Sequence, residues 1–415
     1  MTIKKAFYII AFLSPLLAES SLIDIYGYKI PALFFISLFP IVFLKAHKKD
    51  LLINVKYNIV IKYVCLYILI VFFNYLFVVG DLFWRPYPEI GPLYIGLIRR
   101  LIFVMVVYYT FSDEKEAIKL FLFYCGGLLI SGLSAYIEML VLRHNIFNAD
   151  LTEGNEGYLR AMGFFYNPNE FGLTIVIVIT VLLFLYFSQM VKRKFIIVLV
   201  FLLVPPLLFS YSRNAWVCLV ISVILLAKKF ADKKHRTIIY MLTVSVMLVL
   251  FAILFSVSEF RERLLSLFSG SDASALGRFA VIASSYETWL SKPFMGIGVY
   301  ISTTLFEGLG NDGLLITIHS FYLHSLFEMG IIGFVITMGL LYSLYFSYKK
   351  NVSLLALSVE ARQFSQLCLI ILAVFYFYIV SGNHINYDFF WYLIAIQTVF
   401  FRKNFYTQKH KINLS

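Results

Sequence analysis

Residues 172–190, GLTIVIVITVLLFLYFSQM, are nineteen consecutive positions without a charge. A transmembrane helix needs about 20 predominantly apolar residues. The same character runs through the 415-residue chain, of which 61% is hydrophobic and 14% is charged, whereas soluble domains are about 45–50% apolar and about 25% charged. This composition excludes a soluble globular protein. Because the apolar runs are continuous, they predict an all-α polytopic membrane protein and not a barrel.

Twelve apolar runs bounded by charged residues predict about 12 transmembrane helices in a single membrane domain, residues 1–415. The runs are residues 6–18, 28–44, 63–80, 95–111, 118–141, 172–190, 195–209, 215–227, 237–256, 331–347, 363–381 and 389–401. The first run follows Lys4 and Lys5, as the core of a signal peptide would. Glu19 and Asp24 stand where a cleavage site needs small residues, so we predict a retained first helix.

The distribution of positive charge predicts the orientation. If the N-terminus is cytoplasmic, 24 of the 35 Lys and Arg residues fall on the cytoplasmic side. These 24 are Lys4, Lys5, Lys119 and the basic residues of segments 45–62, 112–117, 191–194, 228–236, 348–362 and 402–415. The positive-inside rule then predicts that both termini are cytoplasmic. The net charge of +12 indicates contact with the anionic lipid bilayer and gives no reason to expect nucleic acid as a partner.

Arginine is concentrated on the predicted outer side. Only four of the 24 cytoplasmic charges are Arg, against seven of the nine outer ones. Arginine binds phosphate oxygens bidentately and stays charged when partly buried, so the enrichment indicates an anionic ligand at the outer face. The alternative is that these side chains only reach towards lipid headgroups.

The longest outer segment, residues 257–330, is predicted as a late periplasmic loop that carries part of the site. It opens with alternating apolar and charged residues between Phe260 and Phe268, which predict a short amphipathic helix on the membrane surface. The Gly- and Ser-rich residues 269–277 then predict a flexible turn.

The sharpest local pattern begins at His319 and ends at Gly330 and Gly333, with Tyr322 and Glu328 between them. In a helix that starts near His319, positions 319, 322, 323, 326 and 330 share one face, and the two glycines allow a neighbouring helix to approach. A histidine at the aqueous mouth of such a helix can take a proton from a sugar hydroxyl. The alternative is a polar residue that merely ends a membrane span.

Two further patterns centre on arginine. Arg278 precedes an aromatic amphipathic stretch and the turn from Pro293 to Gly298, which together indicate a phosphate-binding helix. An interfacial helix without a ligand is the alternative. Arg213 interrupts two apolar spans, so it lies at headgroup depth, where an ionisable residue is a functional hypothesis by default.

Arg99 and Arg100 lie deeper, inside the fourth span, with Glu138 as a conceivable partner. Only one of two adjacent helical residues readily faces an interior cavity, and both assignments stay open.

The outer segment 142–171 contains Arg160 and the sequence Asn167-Pro168-Asn169-Glu170. Pro168, Asn169 and Glu170 have the chemistry of a helix start, with Asn169 as the candidate cap and Glu170 in the first turn. A simple cap is the alternative to a functional role. The chain has no Walker, GxGxxG, HExxH or Asp-rich motif, so we predict no cofactor and no metal site.

These motifs resemble the O-antigen ligase and O-antigen polymerase superfamily of bacterial inner-membrane glycosyltransferases. The resemblance covers about residues 160–335 and is carried by His319-Ser320 with its spacing to Gly330 and Gly333, Ser212-Arg213, Leu276-Gly277-Arg278, Trp289 to Gly298, and Asn167-Pro168-Asn169-Glu170.

The resemblance implies an all-helical C-type glycosyltransferase fold whose active site opens to the periplasm. The donor would be an oligosaccharide on undecaprenyl diphosphate, His319 the catalytic base, and Arg213 and Arg278 the donor diphosphate ligands. The supporting residues would be Arg99, Arg100, Arg160, Asn169, Glu170, Tyr322 and Glu328. A chain-length regulator protein would be a further partner.

The acceptor separates the alternatives within the superfamily. It is another lipid-linked repeat unit for a polymerase and lipid A–core for a ligase. The Asn-Pro-Asn-Glu turn and the 43 Phe and 29 Tyr residues favour a polymerase over a ligase. A lipid-linked oligosaccharide flippase is less favoured, because transporters place their charges near the bilayer midplane, whereas most of the outer arginines here lie near loops.

Overall fold

The structure, a computed structural model, describes residues 3–17, 24–25, 28–29, 56–78, 90–142, 160–165, 167–189, 191–233, 236–237, 239–241, 252, 255, 261, 273–298, 318, 320–382 and 387–414. In these ranges the chain forms eleven α-helices, one π-helical turn and one pair of two-residue antiparallel strands.

The helices are α1 (Ile3–Leu17), α2 (Ile59–Val78), α3 (Ile90–Thr110), α4 (Glu114–Ile137), α5 (Pro168–Phe187), α6 (Arg193–Phe209), α7 (Arg213–Phe230), α8 (Ala273–Leu290), α9 (Phe321–Ser353), α10 (Val359–Tyr378) and α11 (Asp388–Leu414). The π-helical turn, Glu138–Leu142, continues α4. Strand β1 (Asp24–Ile25) pairs with strand β2 (Tyr28–Lys29).

The prediction of an all-α architecture is confirmed within the described ranges. Ten of the twelve predicted spans overlap α1–α7 and α9–α11. Of the helices described, four are long and apolar enough to cross a membrane: the segment Glu114–Val141, α5, α9 and α10.

Two predicted spans, 28–44 and 237–256, lie largely outside the described residues. The first of them is wrong at its start, because Tyr28 and Lys29 pair with Ile25 and Asp24 as strands. Their connection has two residues and contains Gly27, which favours a hairpin.

The core is built on helices that are buried all round. Residues 171–182 of α5 and 389–400 of α11 are all buried, as expected of helices without a polar face. By contrast, α6 exposes Phe195 and Val198, and Phe201 is 75% exposed. This apolar outer surface is the one that a bilayer would cover.

Small residues allow the helices to approach closely. A Cβ atom on Gly127 of α4 would lie 2.0 Å from the carbonyl oxygen of Phe12 in α1, and one on Gly339 of α9 would lie 2.1 Å from the ring of Tyr63 in α2. Backbone approach at small residues is how membrane helices commonly pack.

Segments predicted to be cytoplasmic meet at one end of the bundle. The Lys403 ammonium lies 2.7 Å from the Glu114 carboxylate, which also accepts the Ser358 N–H at 2.8 Å. Lys4 lies 2.7 Å from Glu116. The N-terminal helix, the loops 112–117 and 348–362 and the C-terminal helix therefore share one end.

Segments predicted to be outer meet at the opposite end. The Arg160 guanidinium donates to the carbonyl oxygen of Ser210 from Nε at 3.0 Å and from Nη2 at 2.9 Å. The Phe321 N–H donates to the Ile379 carbonyl oxygen at 3.0 Å. The starts of α5, α7 and α9 and the end of α10 therefore lie together.

The predicted flexible turn over residues 269–277 is wrong from Ala273 onward, where α8 begins. Ala273, Ala275 and Leu276 have high helix propensity, and this outweighs the single Gly277. The predicted amphipathic opening of the loop, from Phe260 to Phe268, lies outside the described residues except for Arg261, which is helical and exposed.

Candidate active site

The sequence Asn167-Pro168-Asn169 is a helix start, as predicted, but the N-cap is Asn167 and not Asn169, because Pro168 already occupies the first helical position. Pro168 is the first residue of α5, and the Asn167 side chain accepts the Asn169 N–H at 2.8 Å. Arg160 donates to the Asn169 side-chain oxygen at 3.3 Å as well as to Ser210. Glu170 is half-buried in the first turn. Arg160 therefore connects the start of α5 to the turn between α6 and α7.

Arg213 is the first residue of α7, partly buried, and follows the tight turn that contains Tyr211 at φ 51°. Ser212 is 1% exposed, and among the described residues its hydroxyl has no hydrogen-bond partner. A helix N-terminus carries partial positive charge, so a guanidinium at this position suits an anionic ligand.

The start of α7 is held against two neighbouring helices. A Cβ atom on Gly172 of α5 would lie 2.9 Å from Ala215 Cβ. The Asn214 side-chain amide donates to the Tyr378 carbonyl oxygen at the end of α10, at 2.8 Å. This close packing fixes the position of the backbone that carries Arg213.

His319 lies outside the described residues, but both of its neighbours in the chain are buried: Ile318 is 1% exposed and Ser320 is 9% exposed. Helix α9 begins at Phe321, with Ser320 in the extended N-cap conformation. The prediction of a helix that starts near His319 is confirmed, but the helix begins two residues later, after the extended Ser320, so the predicted shared face does not reach position 319.

The first half of α9 ends at a break. Gly330 has φ 68° and ψ −175°, which are not helical angles, so the predicted continuous face from His319 to Gly330 is wrong at this end too. In an unbroken helix the amides of Ile331 and Ile332 would donate to the carbonyl oxygens of Phe327 and Glu328. Here all four groups bind another segment.

That segment is the turn after α8, residues 291–298. It receives two amide donors from α9 and supplies two of its own, so the helix break leaves none of these four groups unpaired. The bonds run from Ile331 N–H to Pro293 O at 2.9 Å, from Ile332 N–H to Phe294 O at 3.4 Å, from Ile297 N–H to Phe327 O at 2.9 Å and from Gly298 N–H to Glu328 O at 3.0 Å. We call this contact the turn–break joint.

The joint brings together two motifs that are separate in the sequence. A Cβ atom on Gly296 would lie 2.3 Å from the Glu328 carbonyl oxygen, and one on Gly330 would lie 2.2 Å from the Phe294 carbonyl oxygen. Both residues have positive φ, 78° and 68°. The two glycines are therefore required by the direct contact of the two backbones. Gly330 faces a turn, whereas the sequence pattern predicted that it faces a neighbouring helix.

Polar side chains of α9 line the segment between Ser320 and the break. The Tyr322 hydroxyl donates to the Tyr376 carbonyl oxygen at 2.9 Å. The His324 Nε2 atom lies 3.1 Å from the Glu328 carboxylate, which is 1% exposed. Tyr322 thus attaches the start of α9 to the end of α10, the element that Asn214 also binds.

Arg278 lies in α8, and its side chain is outside the description. Val281, three residues later, packs in one apolar cluster with Ile318 and Phe327. Helix α8 therefore packs against Ile318, which precedes His319, and against Phe327 in the first half of α9.

The two deeper arginines lie on α3. The Nε atom of Arg100 is 3.9 Å from the Asp388 carboxylate at the start of α11, and Arg99 is half-buried. The Glu138 carboxylate accepts the N–H groups of Met162 and Gly163, at 3.2 and 2.8 Å. Asp388 is thus an acidic neighbour of Arg100 that the sequence analysis did not consider.

Comparison with known families addresses the resemblance directly. Residues 198–338 match the family model described as O-antigen ligase. The resemblance inferred from the motifs is confirmed. A search of curated proteins finds no significant match to the chain.

The O-antigen ligase match extends from α6 to the second half of α9 and contains Arg213, Arg278 and His319. The supporting residues Tyr322 and Glu328 also lie inside it. Outside it lie Arg99, Arg100, Arg160, Asn169 and Glu170. Within the part of the chain that is described, no group of three His, Cys, Asp or Glu side chains could hold a metal ion.

The structure adds Asn74, Ser212, Asn214 and Asp388 to the residues around the matched segment. Asn74 is fully buried in α2, and its amide donates to the carbonyl oxygens of Met295 and Glu328. The sequence feature that could have identified Asn74 is its amide side chain within the apolar run 63–80. Buried polar residues in membrane helices make specific contacts.

Proposed function

We propose that the protein is an O-antigen polymerase that joins undecaprenyl-diphosphate-linked oligosaccharide repeat units at the periplasmic face of the inner membrane. The observation that supports this most strongly is the meeting of three elements at one end of the bundle. Helix α7 begins with Arg213, α8 carries Arg278 and α9 begins two residues after His319. Helices α7 and α9 both bind the end of α10, and α8 packs on α9.

Arg213 and Arg278 bind the donor diphosphate in this proposal. Guanidinium groups suit phosphate because they donate two parallel hydrogen bonds and keep their charge. The Ser212 hydroxyl and the first amides of α7 are additional donors at the same helix end. Neutralising the diphosphate charge makes undecaprenyl diphosphate a good leaving group, so no metal ion is required.

His319 acts as the general base. It removes the proton from the acceptor hydroxyl, the acceptor oxygen forms a bond to the anomeric carbon, and the bond from that carbon to the diphosphate oxygen breaks. The proton stays on His319 and the electron pair leaves with undecaprenyl diphosphate. Attack opposite the leaving group inverts the anomeric configuration.

Site variants expressed in a strain deleted for the gene test these roles. We expect Arg213→Ala, Arg278→Ala and His319→Ala each to abolish long surface polysaccharide at wild-type protein levels. Lysine at either arginine position should restore it only in part, because Lys cannot bind bidentately. The control is Arg261→Ala, which removes an exposed arginine of the same outer segment and should change nothing. Wild-type polysaccharide in all three alanine variants would contradict the proposal.

A ligase is the second candidate, since the matching family model is described as O-antigen ligase. The surface glycan of the deletion strain, resolved by chain length, separates the two. Lipid A–core with a single repeat unit supports the polymerase. Lipid A–core with none, together with accumulated lipid-linked polymer, supports the ligase.

A further inference from the structure

We propose that Asn74 of α2 is a positioning residue for glycosyl transfer. Its side-chain amide holds the turn–break joint together and so sets the spacing between α8, which carries Arg278, and α9, which begins two residues after His319. This inference rests on the proposed function, and it concerns a residue outside the segment that matches O-antigen ligase.

Asn74 contacts both sides of the joint. Its Nδ2 atom lies 2.6 Å from the carbonyl oxygen of Met295 in the turn and 3.1 Å from that of Glu328 in α9. One amide has two N–H donors, and each is used on a different segment. The Glu328 oxygen also accepts the Gly298 N–H at 3.0 Å. Asn74 therefore binds the turn and the broken helix at the point where they already meet.

The surroundings make these hydrogen bonds important. Asn74 is fully buried and Glu328 is 1% exposed, whereas Met295 is half-buried. When the amide is lost, the Glu328 oxygen keeps the Gly298 N–H but the Met295 oxygen loses the Asn74 donor, and non-helical backbone at membrane depth is tolerated only where protein satisfies it. Loss of the amide should therefore loosen the turn against α9, which the four backbone hydrogen bonds of the joint still hold, without disturbing the apolar packing of α2 against α9.

The consequence for the reaction is geometric. The turn follows α8 directly, so its attachment to α9 fixes the C-terminal end of α8, while Val281 and Phe327 hold its middle. In the proposed reaction, Arg278 of α8 contributes to donor binding, and His319, two residues before α9, removes the proton. A small change in the spacing between α8 and α9 leaves Arg278 and His319 in place. It lowers the rate of glycosyl transfer, because that step needs both side chains in the correct relative position.

The test is steady-state kinetics of purified protein in lipid nanodiscs, with an undecaprenyl-diphosphate-linked repeat unit as substrate. For Asn74→Leu, which keeps the branched shape and removes the donors, we expect kcat to fall about ten- to a hundred-fold. KM should change less than about three-fold, because both arginines remain. The matched control is Leu69→Ala, which truncates a half-exposed side chain of the same helix and should keep wild-type kinetics.

Amide hydrogen exchange tests the turn–break joint independently of the glycosyl-transfer reaction. In the wild-type protein the amides of Ile297, Gly298 and Ile331 should exchange slowly, and in Asn74→Leu they should exchange faster while α5 and α11 stay unchanged. Should Asn74→Leu not yield folded protein, the wild-type exchange decides whether the joint exists.

Several outcomes separate the two proposals. Wild-type kcat in folded Asn74→Leu, or unprotected joint amides in the wild type, would overturn the positioning role alone. Wild-type turnover in Arg213→Ala and His319→Ala would instead overturn the proposed function. The hydrogen-exchange evidence for the turn–break joint would be unaffected.

Discussion

At the scale of single residues, Gly296 and Gly330 show most directly how the sequence determines the site. Each lacks a Cβ because the other segment's backbone occupies that space, and each has a φ that L-residues rarely adopt. The hydrogen bonds of the joint depend on this approach. These glycines therefore have a steric role and a conformational role at the same position.

Replacing Gly330 by alanine should destabilise the protein by about 2–4 kcal/mol, since the left-handed conformation and the clash with Phe294 both carry a cost. Thermal unfolding in detergent measures this. Gly126→Ala is the control, because its Cβ would meet only a side chain, the Phe12 ring, at 3.3 Å, and alanine favours the helix. Equal unfolding temperatures for the two variants would contradict the steric account.

At the scale of elements, the fold depends on helix ends that are tied to distant segments. Glu114 begins α4, is 1% exposed, and accepts both the Lys403 ammonium of α11 and the Ser358 N–H before α10. One buried carboxylate thus connects three helices at the end predicted to be cytoplasmic. Arg160 has the corresponding role at the opposite end, between the start of α5 and the turn at Ser210.

Lys403→Met should lower stability by about 1–3 kcal/mol, since it leaves a buried carboxylate with one partner fewer; the partial exposure of Lys403 favours the lower end. Thermal unfolding is again the measurement. Lys115→Met is the matched control, because Lys115 and its partner Glu360 are both exposed, and exposed ion pairs contribute little. A larger loss for Lys115→Met than for Lys403→Met would contradict this interpretation.

At the scale of the whole molecule, the predicted cytoplasmic and outer segments lie at opposite ends of the bundle. Lys4 belongs to the first end and Lys292 to the second. We therefore expect a cysteine at Lys292 to react with a membrane-impermeant maleimide in spheroplasts. A cysteine at Lys4 should react only after the membrane is permeabilised. Labelling of both without permeabilisation, or of Lys4 alone, would contradict the topology.

Most of the helices could be predicted from sequence, because a run of apolar residues is a local property that the bilayer itself requires. Gly296 and Gly330 could also be recognised in the sequence as parts of two motifs. Their contact could not be predicted, because it forms at a helix break and a hydropathy pattern contains no information about such partners. Asn74 is 221 residues from Met295, so its role appears only when the chain is folded.

Glycan extension by the purified protein, in liposomes that contain the lipid-linked repeat unit, tests whether Arg213 and His319 belong to the active site. We expect the wild type and Arg261→Ala to lengthen the glycan and to release undecaprenyl diphosphate. Folded Arg213→Ala and His319→Ala should be slower by at least about a hundred-fold. Extension by both alanine variants at the wild-type rate would contradict the assignment of the active site.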